Sequence, residues 1–258
     1  MPWRDEPYHP FAGIFQRLKR ADEDIVNLSN EITRFFESSK YPVIPEANTK
    51  EWQEATDYHK NLAIPLRFSV LSGEIIHHLR SCLDNIAWHF SCTQYRLDHE
   101  TAISFPIVAS KPTTKKEIAS YKRKIEGITK INVRNLIESV QPYQRGDDAI
   151  DDPLLIVHDM DRFDKHRELT IIGSVASLRP ISEAGVRAMG AMLKMSEGQD
   201  MSPDEAVIAL RAIKQDVKVT PQIAFPKFGK REYQLVIPAF SQLFYAVSDT
   251  IDLFATEV

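Results

Sequence analysis

Residues 73–89, Gly-Glu-Ile-Ile-His-His-Leu-Arg-Ser-Cys-Leu-Asp-Asn-Ile-Ala-Trp-His, read as one helix. At about 100° per residue, Phe68, Ile75, Leu79, Leu83, Ile86 and Phe90 fall on a stripe roughly 80° wide, which belongs in a core. The opposite arc carries Arg80, Asp84, His77, Trp88, Ser81, Glu74, Asn85, His78 and His89. A solvated helix face favours Lys, Glu and Gln, which tolerate exposure and suit the helix. This arc has a single Glu and neither of the others. Its short directional groups and one aromatic suit a packed polar interface, so the helix is expected at the centre of the fold, running from soon after Pro65 to about Thr93.

Working outward, residues 11–39 repeat apolar side chains at spacings near three and four, from Phe11 and Ile14 to Ile32 and Phe35, and predict one long amphipathic helix. Residues 41–60, rich in proline at their start, predict one or two strands with a turn at Ala47-Asn48. Ile103–Val108 is expected to be extended, and 114–143 to form one or two helices. Pro153 suits the first turn of a further helix, with Asp151 or Asp152 as its cap. A β-branched stretch follows it, and residues 219–237 predict two strands about a turn at 228–230 before a closing helix. Residues 180–217 carry the weakest pattern, with a capping-box-like start at Ser202 and Glu205. The expectation is an α+β fold, mainly a helical bundle with a small antiparallel sheet formed by strands distant in sequence. The chain 1–258 is expected as one compact domain, with 180–217 an insertion or mobile region.

Hydrophobic residues make up 43% and charged residues 26% of 258, close to the soluble globular average. A net charge of −4 gives no overall pull toward nucleic acid or anionic membrane. Cys82 and Cys92 are ten residues apart on what reads as one helix, roughly 15 Å, too far for a disulfide. That usage fits a reducing compartment. The start shows no basic segment followed by an apolar one, as a signal peptide would have, and no apolar run approaches membrane-spanning length. The expectation is a cytoplasmic protein without membrane association.

A second helix, Pro153–Glu168, repeats the polar theme. His158, Asp161 and Lys165 share one face, and Arg162 and His166 lie on the adjoining strip. Five of the eight histidines therefore sit on two helices. If the two polar faces meet, imidazoles, carboxylates and cations converge. Histidine with a carboxylate performs acid–base chemistry near neutral pH, His with Asp or Glu can hold a divalent metal, and Arg or Lys can clamp a phosphate.

Known motifs fit less well. Glu74-Ile75-Ile76-His77 is a single E-x-x-H, whereas di-iron bundles need two. His158-Asp159 resembles the doublet of the HD-type phosphohydrolases, yet residues 100–157 hold no upstream histidine. The arginine–histidine spacings here, Arg162 to His166 and Arg80 to His89, match neither end of the HEPN ribonuclease motif. The lysine-rich run from Lys115 to Glu126 reads as a solvated face.

Four blocks, Gly73-Glu74-x-x-His77-x-Leu79-Arg80-Ser81-x-Leu83-Asp84, Phe105-Pro106-Ile107, Gln141-Pro142-Tyr143 and Asp164-Lys165-His166-Arg167, stand in one order along residues 65–175. In this the chain resembles a family of uncharacterised bacterial and phage proteins. His78 stands where that pattern has Asn, and Asn85 where it has His. The resemblance implies no activity, but its blocks coincide with the helical-wheel selection. The expected site has His77, His166, Asp84, Asp161 and Glu74 as catalytic groups and Arg80, Lys165, Arg167 and Ser81 as substrate-binding groups, with a divalent metal as a candidate cofactor. The function expected is a hydrolase acting on a phosphodiester or nucleotide, its substrate a small molecule or nucleic acid. The alternative is a non-catalytic binding protein whose buried polar network is structural. The N-terminal helix is the expected surface for homo-oligomer formation.

Overall fold

A computed structural model describes residues 8–43, 50–180 and 217–258. Among these, eight α-helices and three strands give a mainly helical α+β fold. The helices are α1 (Ala12–Glu37), α2 (Lys50–Lys60), α3 (Leu66–Phe90), α4 (Thr93–His99), α5 (Lys115–Ile125), α6 (Ile131–Ser139), α7 (Pro153–Asp164) and α8 (Val236–Ala255). The strands β1 (Ile172–Pro180), β2 (Val217–Phe228) and β3 (Arg231–Leu235) form one sheet in the order β1-β2-β3. β1 pairs antiparallel with β2, from Ile172 opposite Ala224 to Pro180 opposite Val217. The expected sheet of strands distant in sequence is thus present. Most of 180–217, with the capping box expected at Ser202, and the turn expected at Ala47-Asn48 lie outside the described residues.

The chain divides into two compact units. The first comprises Met1–Asn30, Pro65–Ile171 and Phe225–Val258, the second Glu31–Ile64 and Ile172–Ala224. In the first, α3, α7 and α8 pack on one another. The stripe of α3 is buried as its period requires, with Ile75, Leu79, Leu83 and Ile86 fully enclosed. Ile76, Cys82 and Ala87 are enclosed as well, which widens the buried arc to roughly half the helix circumference. A helix packed on several sides needs that wider arc. In the second unit α2 packs against β1, and His59 is buried with its Nε2 2.8 Å from the Tyr41 carbonyl oxygen.

Several boundaries follow from local chemistry. Asp152 caps α7 by accepting from Leu154 N at 2.9 Å, with Pro153 behind it. A capping box of Thr114 and Glu117 opens α5. Residues 50–60, expected as strand, are helix instead: Ala55, Thr56 and His59 form a buried i, i+1, i+4 face of one small and two polar residues. Residues 103–108 lie outside any helix or strand, with Ile103 in an extended conformation. α3 ends at Phe90, so Cys92 caps α4 rather than continuing the central helix. α7 ends at Asp164, four residues short of the expected Glu168. Both cysteines are free, and no helix among the described residues is long and apolar enough to cross a membrane.

Candidate functional site

All nine expected site residues lie in the first unit. α3 and α7 pack on one another, with the Asp164 carboxylate seated against Gly73, where a Cβ would lie 2.4 Å from Oδ2. This contact brings the polar faces of the two helices together, as the wheel pattern required.

The polar residues sort into an outer and an inner group. In the outer group His77 Nδ1 is 3.3 Å from Asp161 Oδ1, and His77 Nε2 is 3.4 Å from Ser81 Oγ. Lys165 Nζ donates to Asp161 Oδ2 at 2.6 Å. The result is a relay Ser81–His77–Asp161–Lys165. Asp161 is only 5% exposed, whereas the side chain of His77 is 57% exposed. A buried carboxylate thus holds an open imidazole, leaving its Nε2 side toward Ser81. The two His77 distances are at the long end for hydrogen bonds.

The relay opens on a cleft of about 580 Å³ between α1, α3 and the end of α7. Asp24, Glu74, Asp164 and Glu168 give this cleft a surplus of carboxylates over Arg20, His77 and His78. Arg20 is spent on Asp24 at 2.8 Å. Asp24 also faces His78 at 3.8 Å, and burial holds the His78 proton affinity below the ordinary range despite that carboxylate. Burial raises the Asp164 carboxyl, reinforced by Asp161 and opposed by His77.

The inner group does different work. Arg80, 4% exposed, donates through Nη2 to Asp84 Oδ1 at 2.7 Å and to the Phe105 carbonyl at 2.8 Å. Asp84 Oδ1 in turn accepts from Phe105 N at 2.9 Å. Gln141 continues the chain of contacts, donating to the Pro106 carbonyl at 2.8 Å. Three of the four sequence blocks are therefore stitched by side-chain hydrogen bonds to the backbone of Phe105 and Pro106, and the fourth approaches the first where Asp164 meets Gly73. Burial raises the Asp84 carboxyl against the opposing pull of Arg80 and the Phe105 amide.

His166 and Arg167 are exposed beyond the end of α7, outside the relay; Arg167 lies over the Phe163 ring at 6.0 Å. Of the three cations expected to hold phosphate, Arg80 and Lys165 are engaged with carboxylates, and Arg167 stands apart from the relay. Lys124, expected on a solvated face, is half-buried and senses Arg80 and Asp84. His158 joins them: burial, then Arg80, Lys124 and Arg162, lower its pKa to about 4. Sequence reasoning passed over Asp24, although an acid between Ala21 and Ile25 on the buried side of α1 was a visible signal. Among the described residues, no group of three or more His, Cys, Asp or Glu side chains could hold a metal ion.

Fold and site together define an α+β, mainly helical protein with a histidine relay between two crossed helices. No family model, curated protein or solved structure matches the chain, so the resemblance rests on its four sequence blocks.

Proposed function

We propose that the protein is a hydrolase acting on a phosphodiester or nucleotide, with His77 as its general base. The observation that supports this reading is the relay: an open imidazole whose Nδ1 faces a buried carboxylate, itself held by Lys165. Asp161 fixes the ring so that Nε2 is free to take a proton, and it stabilises the imidazolium that forms. His77 Nε2 takes the proton of an attacking water, the water oxygen bonds to phosphorus, and the ester P–O bond breaks. The imidazolium then returns its proton to the leaving oxygen, so His77 serves as base and acid in turn. Ser81 orients the water through its hydroxyl. A second reading, a non-catalytic protein with a structural polar network, draws on the inner group, where Arg80 and Asp84 bond the Phe105 backbone.

The test is hydrolysis of bis(p-nitrophenyl) phosphate and of a panel of nucleotides by the wild-type chain, His77→Ala and Asp161→Asn. General acid–base assistance is worth about 10²–10⁴-fold in rate, so both variants should lose at least about a hundredfold in kcat. Because His77 is open to solvent, its variant should unfold at the wild-type temperature. Turnover that His77→Ala leaves intact would remove the proposal.

A further inference from the structure

The polar face of α3 changes sign along its length. Its N-terminal half borders the acidic cleft, while its C-terminal half borders a second cavity of about 300 Å³. The start of α1 forms the other wall. Arg17, Asn85, Trp88, His89 and Arg96 line this cavity, and among the described residues no carboxylate does. Arg96 donates through Nε to the Ser91 carbonyl at 2.7 Å and through Nη2 to the His89 carbonyl at 2.6 Å. Carbonyls hold the guanidinium in place without cancelling its charge, and it stacks over Trp88 at 5.6 Å. Arg17 is exposed on α1. The charges acting on His89 are all cationic, from Arg96, Lys130 and His9, and they add to burial in lowering its proton affinity. The local potential is positive.

Gly13 is the second clue. It lies in the first turn of α1 and lines the cavity, where a Cβ would meet nothing within 4 Å. No packing demand accounts for the glycine, and in a helix it costs up to about 1 kcal/mol against alanine. A large side chain at this position would project from the α1 wall into that open space.

We propose that this cavity is a phosphate subsite, in which Arg17 and Arg96 bind the oxygens of a terminal phosphate on the substrate. Asn85 uses one amide hydrogen on the Ser81 carbonyl at 2.7 Å and has a second to give. Asn85 lies one helical turn beyond Ser81, about 6 Å along the axis. A phosphate held there places the rest of a nucleotide-sized substrate beside His77. This inference rests on the hydrolase reading and adds to it two cations that share one cavity and are not paired with carboxylates.

Calorimetric titration of the full chain with inorganic phosphate and with a nucleoside 5′-monophosphate tests it. Saturable binding that weakens with added salt is expected, with Arg17→Met and Arg96→Met each raising Kd at least tenfold. Gly13→Leu should raise it as much by filling the cavity, without lowering the unfolding transition. Arg96 also bonds the backbone, so if its variant fails to fold, Arg17→Met and Gly13→Leu decide. The proposal is overturned if neither probe binds saturably, or if both of those variants bind phosphate like wild type. His77→Ala should bind phosphate normally. Normal binding without His77-dependent turnover would remove the hydrolase reading alone, whereas His77-dependent turnover indifferent to Arg17→Met and Gly13→Leu would remove the subsite alone.

Discussion

His158 carries the consequence of crowded cations on a single side chain. Its pKa is lowered to about 4 by burial and by Arg80, Lys124 and Arg162, with Asp161 alone opposing them. The unfolded chain, where this histidine has its ordinary value of 6.5, takes up the proton first as pH falls. Between pH 6.5 and about 4 the unfolded state therefore binds more protons, and stability drops as pH falls through that window. The drop attributable to this residue approaches roughly 3 kcal/mol once both states are protonated. Urea unfolding across this window should show His158→Gln losing less stability than wild type on acidification. Parallel pH profiles for the two proteins would mean that His158 does not bury its neutral form. The sequence placed His158 beside Asp161 and Lys165, but not beside Arg80 and Lys124. That neighbourhood depends on where α5 docks, which no local pattern records.

At the scale of the element, α3 divides its polar arc between two tasks. Arg80 and Asp84 bond the backbone around Phe105, whereas His77 and Ser81 face outward. Removing the buried guanidinium in Arg80→Ala leaves Asp84 without its cation and the Phe105 carbonyl without a donor. Loss of one partner from a buried pair costs roughly 3–5 kcal/mol, and chemical denaturation should register a loss of that order. An unfolding curve that overlays wild type would show that this bonding is dispensable. The period of α3 was legible because apolar and polar residues segregate sharply around it. α2 was not, because its buried face is built from Ala55, Thr56 and His59 with a half-buried Trp52. Those residues repeat at helical spacing but carry little hydrophobic signal. The end of α7 was missed for another reason: no glycine or proline stops it, and its cap is Lys165, whose backbone N–H bonds the carbonyls of Asp161 and Phe163.

At the scale of the whole molecule, a net charge of −4 conceals a polarity: carboxylates gather at one end of the α3 face and guanidinium groups at the other. Composition cannot show this, because it arises when α1 and α4 bring Arg17 and Arg96 to a helix read in isolation as uniformly polar. The same docking bears on self-association. The amphipathic pattern of α1 suggested a surface for a homo-oligomer, but Phe11, Ile14, Phe15, Leu18, Ile25, Leu28, Ile32 and Phe36 are buried within the chain. On its exposed side Val26 is the one large aliphatic, amid Gln16, Arg17, Lys19, Arg20, Asp22, Glu23 and Asn27. A stable interface buries about 1,200–2,000 Å² around a centre depleted of charge, and the side chains exposed on α1 are mostly charged or polar. Sedimentation should therefore report no association through α1 across the micromolar range, and Val26→Glu should sediment as wild type does. Self-association abolished by Val26→Glu would instead place an interface on α1, next to the Arg17 wall of the phosphate cavity. Phosphate binding would then have to depend on protein concentration, which the same calorimetric titration can read.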